Sequence, residues 1–328
     1  MAKLDRAGAA AGETPSPRDT APVIKAIPLR HPWRNLIAVV IVVYLIAAIY
    51  TAIFAKGDVS KAFQWNVYVQ YIFDQHISAA ALVTIELTVL SMILAAILAL
   101  LLAVMRLSNN PVLKWIAWGY IWIFRGTPIY VQLTLWGLLS TIYKVIPIGL
   151  PFLPPVATFS TDGVLNFYVL AVLGLGLNEG AYLAEIVRAG ILSVDRGQEE
   201  ASVALGMSWS QTMRRIVIPQ SMRVIIPPTG NEFISMLKTT SLVTAIPFTG
   251  DLFAEAQAVA ARTFDPVPLL LVASTWYLAI SSVLSVGQYF LERRFARGVG
   301  SARSDKPTPL LVAPDGMVDM PAAEEDGR

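Results

Sequence analysis

The chain has 328 residues, 55% of them hydrophobic and only 15% charged, with mean hydropathy +0.59 and net charge +2. Soluble domains carry roughly 25% charged residues, so a soluble enzyme of this size is excluded, as is a disordered chain, which needs low hydrophobicity and high net charge. The small net charge argues against nucleic-acid binding. The lack of cysteine excludes disulfide scaffolds and thiolate metal sites, and His31 and His76 lie too far apart to suggest a metal or haem site.

A membrane helix needs about 20 mostly apolar residues. Residues 1–35 are polar and read as a solvated tail. Leu36–Ala55 is the first span; it is too long for a signal-peptide core and no small-residue cleavage site follows it. Further spans are predicted over Ser78–Met105, Trp115–Leu139, Val164–Val187, Met213–Ile246 and Val267–Leu291. The fold class is therefore an all-α membrane protein of about six helices. Between the third and fourth spans, residues 140–163 carry Pro147, Pro151, Pro154 and Pro155 and read as a rigid extracytoplasmic loop. Residues 299–328, rich in Ala, Gly, Pro, Ser and charge, read as a second tail with little to bury.

Lys and Arg set the orientation. One side of the six spans holds eighteen of them, in both tails and in the loops with Arg106, Lys114, Arg188, Arg196, Arg214 and Arg215. The other side holds Lys56, Lys61, Lys144 and Arg262. Both termini are expected in the cytoplasm. No Gly-x-x-x-x-Gly-Lys-Ser/Thr occurs, so the chain has no phosphate loop of its own. Any ATP-driven work needs another subunit.

The loop after the fourth span, residues 193–219, divides by its local signals. Asp195 can cap a helix start with Gln198 as capping-box partner. Gly206 suits a left-handed helix end, and Ser208 with Gln211 can open the next helix. The short helix mixes Glu199 and Glu200 with Ala201, Ala204 and Leu205. It either docks in a groove of a partner or lies on the membrane surface, although surface helices usually carry Lys or Arg on the polar face.

This loop resembles that of the binding-protein-dependent ABC importer permeases, whose pattern is Glu-Ala-Ala, three residues, Gly, nine residues, Ile-x-Leu-Pro. Here it reads Glu200-Ala201-Ser202, Gly206, then Ile216-Val217-Ile218-Pro219. Ser202 replaces the second Ala and Ile218 replaces Leu. Phe124-Arg125-Gly126-Thr127-Pro128, Leu177 to Glu185, Pro227 to Phe233 and Leu237 to Leu242 resemble the polar amino acid branch of that family. An acidic residue at Glu179 departs from it, since members often have a neutral one there. The likeness covers residues 78–295, a core of five spans; the 36–55 helix and both tails lie outside it.

The resemblance implies a permease subunit of an ATP-driven importer for polar or charged amino acids, multi-pass in the bacterial inner membrane. It implies no cofactor of its own, ATP being used by partner ATPase subunits. The other implied partners are an extracytoplasmic binding protein and a second permease chain, identical or related. It makes the 193–219 loop the coupling element, with Asp195, Arg196, Gly197, Glu200, Ala201, Ser202, Gly206, Met207, Ile216 and Pro219 as ATPase-coupling residues. The alternative function is an ion-coupled secondary transporter or channel, its buried glutamates relaying protons. No nucleophile–base or metal constellation suggests an enzyme.

An ionisable residue in a span costs about 2.5–3.5 kcal/mol on the translocon scale, so such residues usually face the bundle interior. Glu86, Arg125, Glu179, Glu185, Glu232 and Lys238 qualify. Asn178, Tyr182 and Glu185 share one helix face, and Gly176 and Gly180 form a small-xxx-small packing pair. The candidate pathway residues are Arg125, Thr127, Gln132, Asn178, Glu179, Tyr182, Glu232 and Lys238. Arg125 can hold a bound carboxylate or pair with an internal glutamate. The prolines at 227 and 228 either break the fifth helix, giving a half-helix with free N–H groups, or merely kink it.

Overall fold

The structure, a computed structural model, describes residues 32–54, 63–142, 144–148, 154–160 and 166–295. Of the tails expected over 1–35 and 299–328, all but residues 32–35 lie outside these. The chain divides into two units, residues 1–45 with 298–328, and residues 46–297. Helix α1 (Pro32–Phe54) begins in the first and ends in the second. It is apolar all round, as a membrane helix is. It starts four residues before the expected start of the first span, because Pro32 is well tolerated in the first turn of a helix.

The second unit continues with α2 (Trp65–Tyr71), α3 (Gln75–Leu107), α4 (Pro111–Gly126) and α5 (Ile129–Ile142). A two-stranded antiparallel hairpin follows, β1 (Val145–Ile148) against β2 (Ala157–Ser160), with Val145 opposite Ser160. After it come α6 (Phe167–Leu192), α7 (Arg196–Ala204) and α8 (Trp209–Thr212). A π-helical turn (Met213–Val217) leads into α9 (Ile218–Thr239), a 3-10 turn (Thr240–Ala245), α10 (Leu252–Thr263) and α11 (Pro266–Phe295). Among the described residues, α1, α3, α6 and α11 are long and apolar enough to cross a membrane by themselves.

The starts of these helices follow local chemistry. Asp74 accepts from the His76 and Ile77 N–H groups, Asn110 from Val112, and Asn166 from Val169. Each satisfies donors that a helix start leaves unpaired.

Helices α3 and α6 form the centre. In lipid, helices associate through close van der Waals packing of small residues. The buried face of α3 carries Ala81, Thr84, Thr88, Ser91, Ala95, Ala99 and Ala103. Gly176 and Gly180 of α6 lie against it: an added Cβ would meet Leu94 Cδ2 at 2.7 Å and Leu98 Cβ at 3.0 Å. The expected glycine pair thus packs α6 on α3. One apolar core joins α3, α4, α5 and α6 through Leu87, Ile121, Leu133 and Leu175. A second joins α2, α3, α10 and α11 through Val67, Ile77, Leu252 and Leu269.

Three expectations need correction. The third span, 115–139, is two helices broken at Thr127-Pro128, since the residue before a proline is pushed out of the helical region; Thr127 has φ −116° and ψ 143°. The 140–163 stretch is not all loop: α5 runs to Ile142 and a hairpin follows, with Pro147 in the first of its two strands, an edge position where a missing N–H is tolerated. Helix α9 runs unbroken through Pro227 and Pro228. Proline's φ fits a helix and only removes two donors, and neighbouring helices and side chains can re-satisfy the freed groups. No half-helix with free N–H groups starts at Pro228.

Candidate coupling loop and transport pathway

The loop that leaves α6 folds as its caps direct. Asp195 accepts from the Gly197 N–H at 2.7 Å, so the cap runs through Gly197 instead of the expected Gln198 box. Helix α7 then ends at Gly206, φ +75°. The Gly206 N–H donates to the Val203 carbonyl at 2.9 Å and the Met207 N–H to that of Ser202 at 3.0 Å. These two bonds are the Schellman closure, which a residue in the left-handed region permits. Ser208 and Gln211 form the expected reciprocal capping box.

Helix α7 is fixed to the next helix by one polar pair. Ser202 Oγ lies 2.8 Å from Thr212 Oγ1, and both residues are buried. Asp195, Arg196, Gly197, Glu200, Ala201, Gly206 and Pro219 are exposed, while Met207 and Ile216 are half-buried. The exposed set also includes Val203, Leu205 and Trp209, at 69%, 81% and 75%. Val203 and Trp209 escaped the sequence reading, as did Thr212. Large apolar residues inside a polar, glutamate-bearing stretch were the available signal. The turn at Met213–Val217 widens to π geometry where Pro219 cannot donate; the Ile218 N–H reaches back to the Met213 carbonyl.

The second constellation surrounds the break between α4 and α5. Sixteen residues of α4 rise about 24 Å, less than the roughly 30 Å hydrocarbon thickness. Irregular backbone within an apolar segment of a membrane protein must be satisfied by protein or water. The Thr127 hydroxyl donates to the Ile123 carbonyl at 2.8 Å. Gln132 Nε2 donates to the carbonyls of Phe124 (3.0 Å) and Thr127 (3.1 Å) and to Thr127 Oγ1 (2.7 Å). Asn178 Nδ2, from α6, donates to the Phe124 carbonyl at 3.0 Å and to Gln132 Oε1 at 3.1 Å. Three candidate pathway residues, Thr127, Gln132 and Asn178, thus converge on the helix break.

Arg125, next to that break, is exposed and sits over the Tyr182 ring, 5.1 Å from its centroid. Among the described residues it forms no ion pair with a glutamate; its partner is aromatic, a cation–π contact. Glu179 is buried, and its Oε1 has no hydrogen-bond partner among the described residues. Glu232 of α9 is half-buried. Glu185 instead ties helices together: Arg188 reaches it at 2.7 Å and Arg106 of α3 at 3.8 Å.

Lys238 stands apart from this group. It lines a cavity of about 500 Å³ with Ser241, Phe253, Leu270, Ala273, Ser274, Tyr277, Leu278 and Ser281. None of Arg125, Asn178, Glu179 or Tyr182 lines it. The three hydroxyls Ser274, Tyr277 and Ser281 recur at helical spacing on α11, a signal the sequence offered. Glu86 is exposed on α3.

Residues 91–297 match the family model described as binding-protein-dependent transport system inner membrane component. The arginine transport system permease protein ArgU of Corynebacterium glutamicum is 50% identical over 97% of this chain and 96% of its own length. The L-cystine transport system permease protein TcyB of Bacillus subtilis is 38% identical over 73% of this chain and 94% of its own. A crystal structure of an amino acid ABC transporter with histidines superposes with TM-score 0.57 at 32% identity, covering 71% of this chain and 98% of that one.

Proposed function

Because this chain belongs to the binding-protein-dependent transport system inner membrane components, we propose that it forms the pathway of an ATP-driven importer for polar or charged amino acids. Membership makes it a multi-pass membrane transport subunit. The finer assignments are inferences: separate ATPase subunits hydrolyse the ATP, a binding protein delivers substrate from outside, and a second permease chain completes the pathway. Both termini face the cytoplasm, as the Lys and Arg distribution requires. The amino acid class draws support from relatives named for arginine and cystine transport.

The observation that carries this reading is helix α7. It is capped at both ends, held through Ser202 to Thr212, and leaves Val203, Leu205 and Trp209 exposed. An amphipathic helix seated in a groove is a common recognition mode, and a rigidly held one transmits motion of its partner to the spans. ATP binding and hydrolysis would then bias two states of the bundle, open to one side or the other. The coupling set is Asp195, Arg196, Gly197, Glu200, Ala201, Ser202, Gly206, Met207, Ile216 and Pro219.

Exposed charges in the spans support a polar pathway. Arg125 and Lys238 are exposed on the single chain, and facing lipid would cost each about 2.5–3.5 kcal/mol on the translocon scale. They face water or the second chain instead. Arg125, Glu179, Tyr182 and Glu232 belong to one stretch of the pathway and Lys238, apart from them, to another, while Thr127, Gln132 and Asn178 hold the break beside Arg125.

The test is reconstitution with a cognate ATPase and binding protein, reading uptake of labelled amino acids. Uptake that needs ATP and all three components is the expected result. Uptake by this chain alone, driven by an ion gradient, overturns the importer and favours proton relay through the buried glutamates.

A further inference from the structure

Pockets for small molecules are mostly apolar, roughly 300–1,000 Å³ in volume, with a few placed polar groups. The cavity of about 500 Å³ lined from α9, the 3-10 turn, α10 and α11 has that character. Helix α11 is long and apolar enough to cross a membrane by itself. Ser281, which lines the cavity, is the sixteenth of its thirty residues. The cavity therefore reaches the middle of a span. Lys238 lines it too, exposed and without an ion pair among the described residues. An ammonium group is costly against lipid, and ionisable residues within spans mark substrate pathways.

The polar groups of the cavity divide by role. The Ser241 hydroxyl donates to the Lys238 carbonyl and the Ser274 hydroxyl to the Leu270 carbonyl, both at 2.7 Å. Each hydroxyl hydrogen is thus engaged, and each oxygen is left to accept. Lys238 can only donate. The rest of the wall is apolar, with Phe253 from α10 and Leu278 from α11. A carboxylate needs the cation, an ammonium needs the acceptors, and a carbon chain needs the apolar wall. An α-amino acid joins all three in one molecule. A phospholipid headgroup belongs to the interface and not to the middle of a span. Among the described residues no Asp or Glu lines the cavity, so a basic side chain finds no counter-charge in it.

We propose that this cavity is a transit station for the backbone of an amino acid in passage, with Lys238 receiving the α-carboxylate and the Ser241 and Ser274 oxygens the α-ammonium, whatever the side chain. It is separate from the stretch around Arg125, Glu179 and Tyr182, none of which lines it. The proposal rests on the importer reading and adds a second place of contact to it.

The chain has no cysteine of its own, so one introduced thiol reports on the cavity. Ser281→Cys stands in it, and Ser282→Cys, one residue on and outside its lining, is the control. Each is placed in the permease–ATPase assembly in nanodiscs and treated with an anionic (sulfonatoethyl) or a cationic (trimethylammonioethyl) methanethiosulfonate. Modification is read from the mass of the permease chain. Relative to the control, Ser281→Cys is expected to favour the anionic reagent by about fivefold, the factor that one unit charge at about 4 Å exerts in water. Lys238→Gln should remove that preference and Lys238→Arg should keep it. L-arginine and L-citrulline should both slow the modification, and agmatine, which is arginine without its carboxylate, should not. Binding-protein-stimulated ATP hydrolysis reports that each variant is assembled. Where Lys238→Gln fails to assemble, Lys238→Arg and the Ser282→Cys control still decide. A Ser281→Cys thiol that neither reagent reaches overturns the proposal, since lipid or the second chain then fills the cavity. So does a charge preference that survives Lys238→Gln, or protection by agmatine equal to that by arginine. Protection by arginine but not citrulline would make the site a reader of side chains and overturns it as well. Uptake driven by an ion gradient without the ATPase sinks the importer reading instead, and the labelling pattern is read independently of it.

Discussion

Ser202 Oγ and Thr212 Oγ1 lie 2.8 Å apart, both buried, and join α7 to the helix that leads back into the membrane. The Ser202 hydroxyl also donates to the Glu199 carbonyl. A serine at a position where the family pattern has alanine is thus not a neutral replacement in this chain. It comes with a threonine ten residues later that completes it.

Thr212→Val should destabilise the loop by about 1–3 kcal/mol, the cost of a buried polar group left alone. Ser202→Ala should act alike, and the double variant should cost less than the sum. The measurement is a double-mutant cycle on the rate of limited proteolysis in the loop, alongside stimulated ATP hydrolysis. Strict additivity would show that the two hydroxyls do not act as a pair.

Gly206 closes α7 with φ +75°, and nothing lies within 4 Å of where its Cβ would stand. Space therefore does not demand glycine; the backbone does. Gly206→Val should cost about 1–2 kcal/mol from the left-handed geometry and uncouple transport, whereas Gly206→Asn, which visits that region more readily, should keep most of both. Comparable ATPase stimulation in the two variants would refute the conformational account.

Glu200 is exposed and without an ion pair among the described residues. Glu200→Lys should leave membrane insertion intact and abolish uptake, because it reverses charge on the helix we propose to dock. Membrane fractionation checks the first half and reconstituted transport the second. Normal uptake by an inserted variant removes Glu200 from the coupling set.

Gln132 donates to two carbonyls and a hydroxyl at the α4–α5 break, Asn178 to one carbonyl that Gln132 already serves. Gln132→Leu should therefore lower stability more than Asn178→Leu, by about 1–3 kcal/mol. Thermal unfolding in detergent gives the order, and the reverse order would mean that the break is held some other way.

Arg125 pairs with no carboxylate among the described residues, so Arg125→Ala should weaken transport with little loss of folded protein. Arg125→Lys keeps the charge but loses the planar stack on Tyr182, worth about 0.5–2 kcal/mol, and should fall between. Folded yield is read by size-exclusion chromatography, transport by uptake. Collapse of the folded yield in Arg125→Ala would point to a structural ion pair.

Much of this protein follows from its sequence alone because the signals are local. Twenty apolar residues make a span whatever surrounds them, and Asp195, Gly206, Ser208 and Gln211 act on N–H groups within a few residues. The coupling-loop pattern is equally local, and with it the family. Proline was legible only in part: Thr127-Pro128 splits a span, while Pro227 and Pro228 pass through a helix. Whether neighbours re-satisfy the freed carbonyls, as Gln132 and Asn178 do at the first break, is not encoded at the proline.

Tertiary structure decided the pairings. Asn178 meets Gln132 across 46 residues and the Phe124 carbonyl across 54. Arg125 meets Tyr182 and not a glutamate, Glu185 takes two arginines, and Glu179 takes none. Each outcome depends on which faces of α3, α4, α6 and α9 come together, and for α3 and α6 the close approach rests on Gly176 and Gly180. A charge in a membrane helix must find a partner or water; composition tells how many must do so, and only the packed bundle decides which remain open to a ligand.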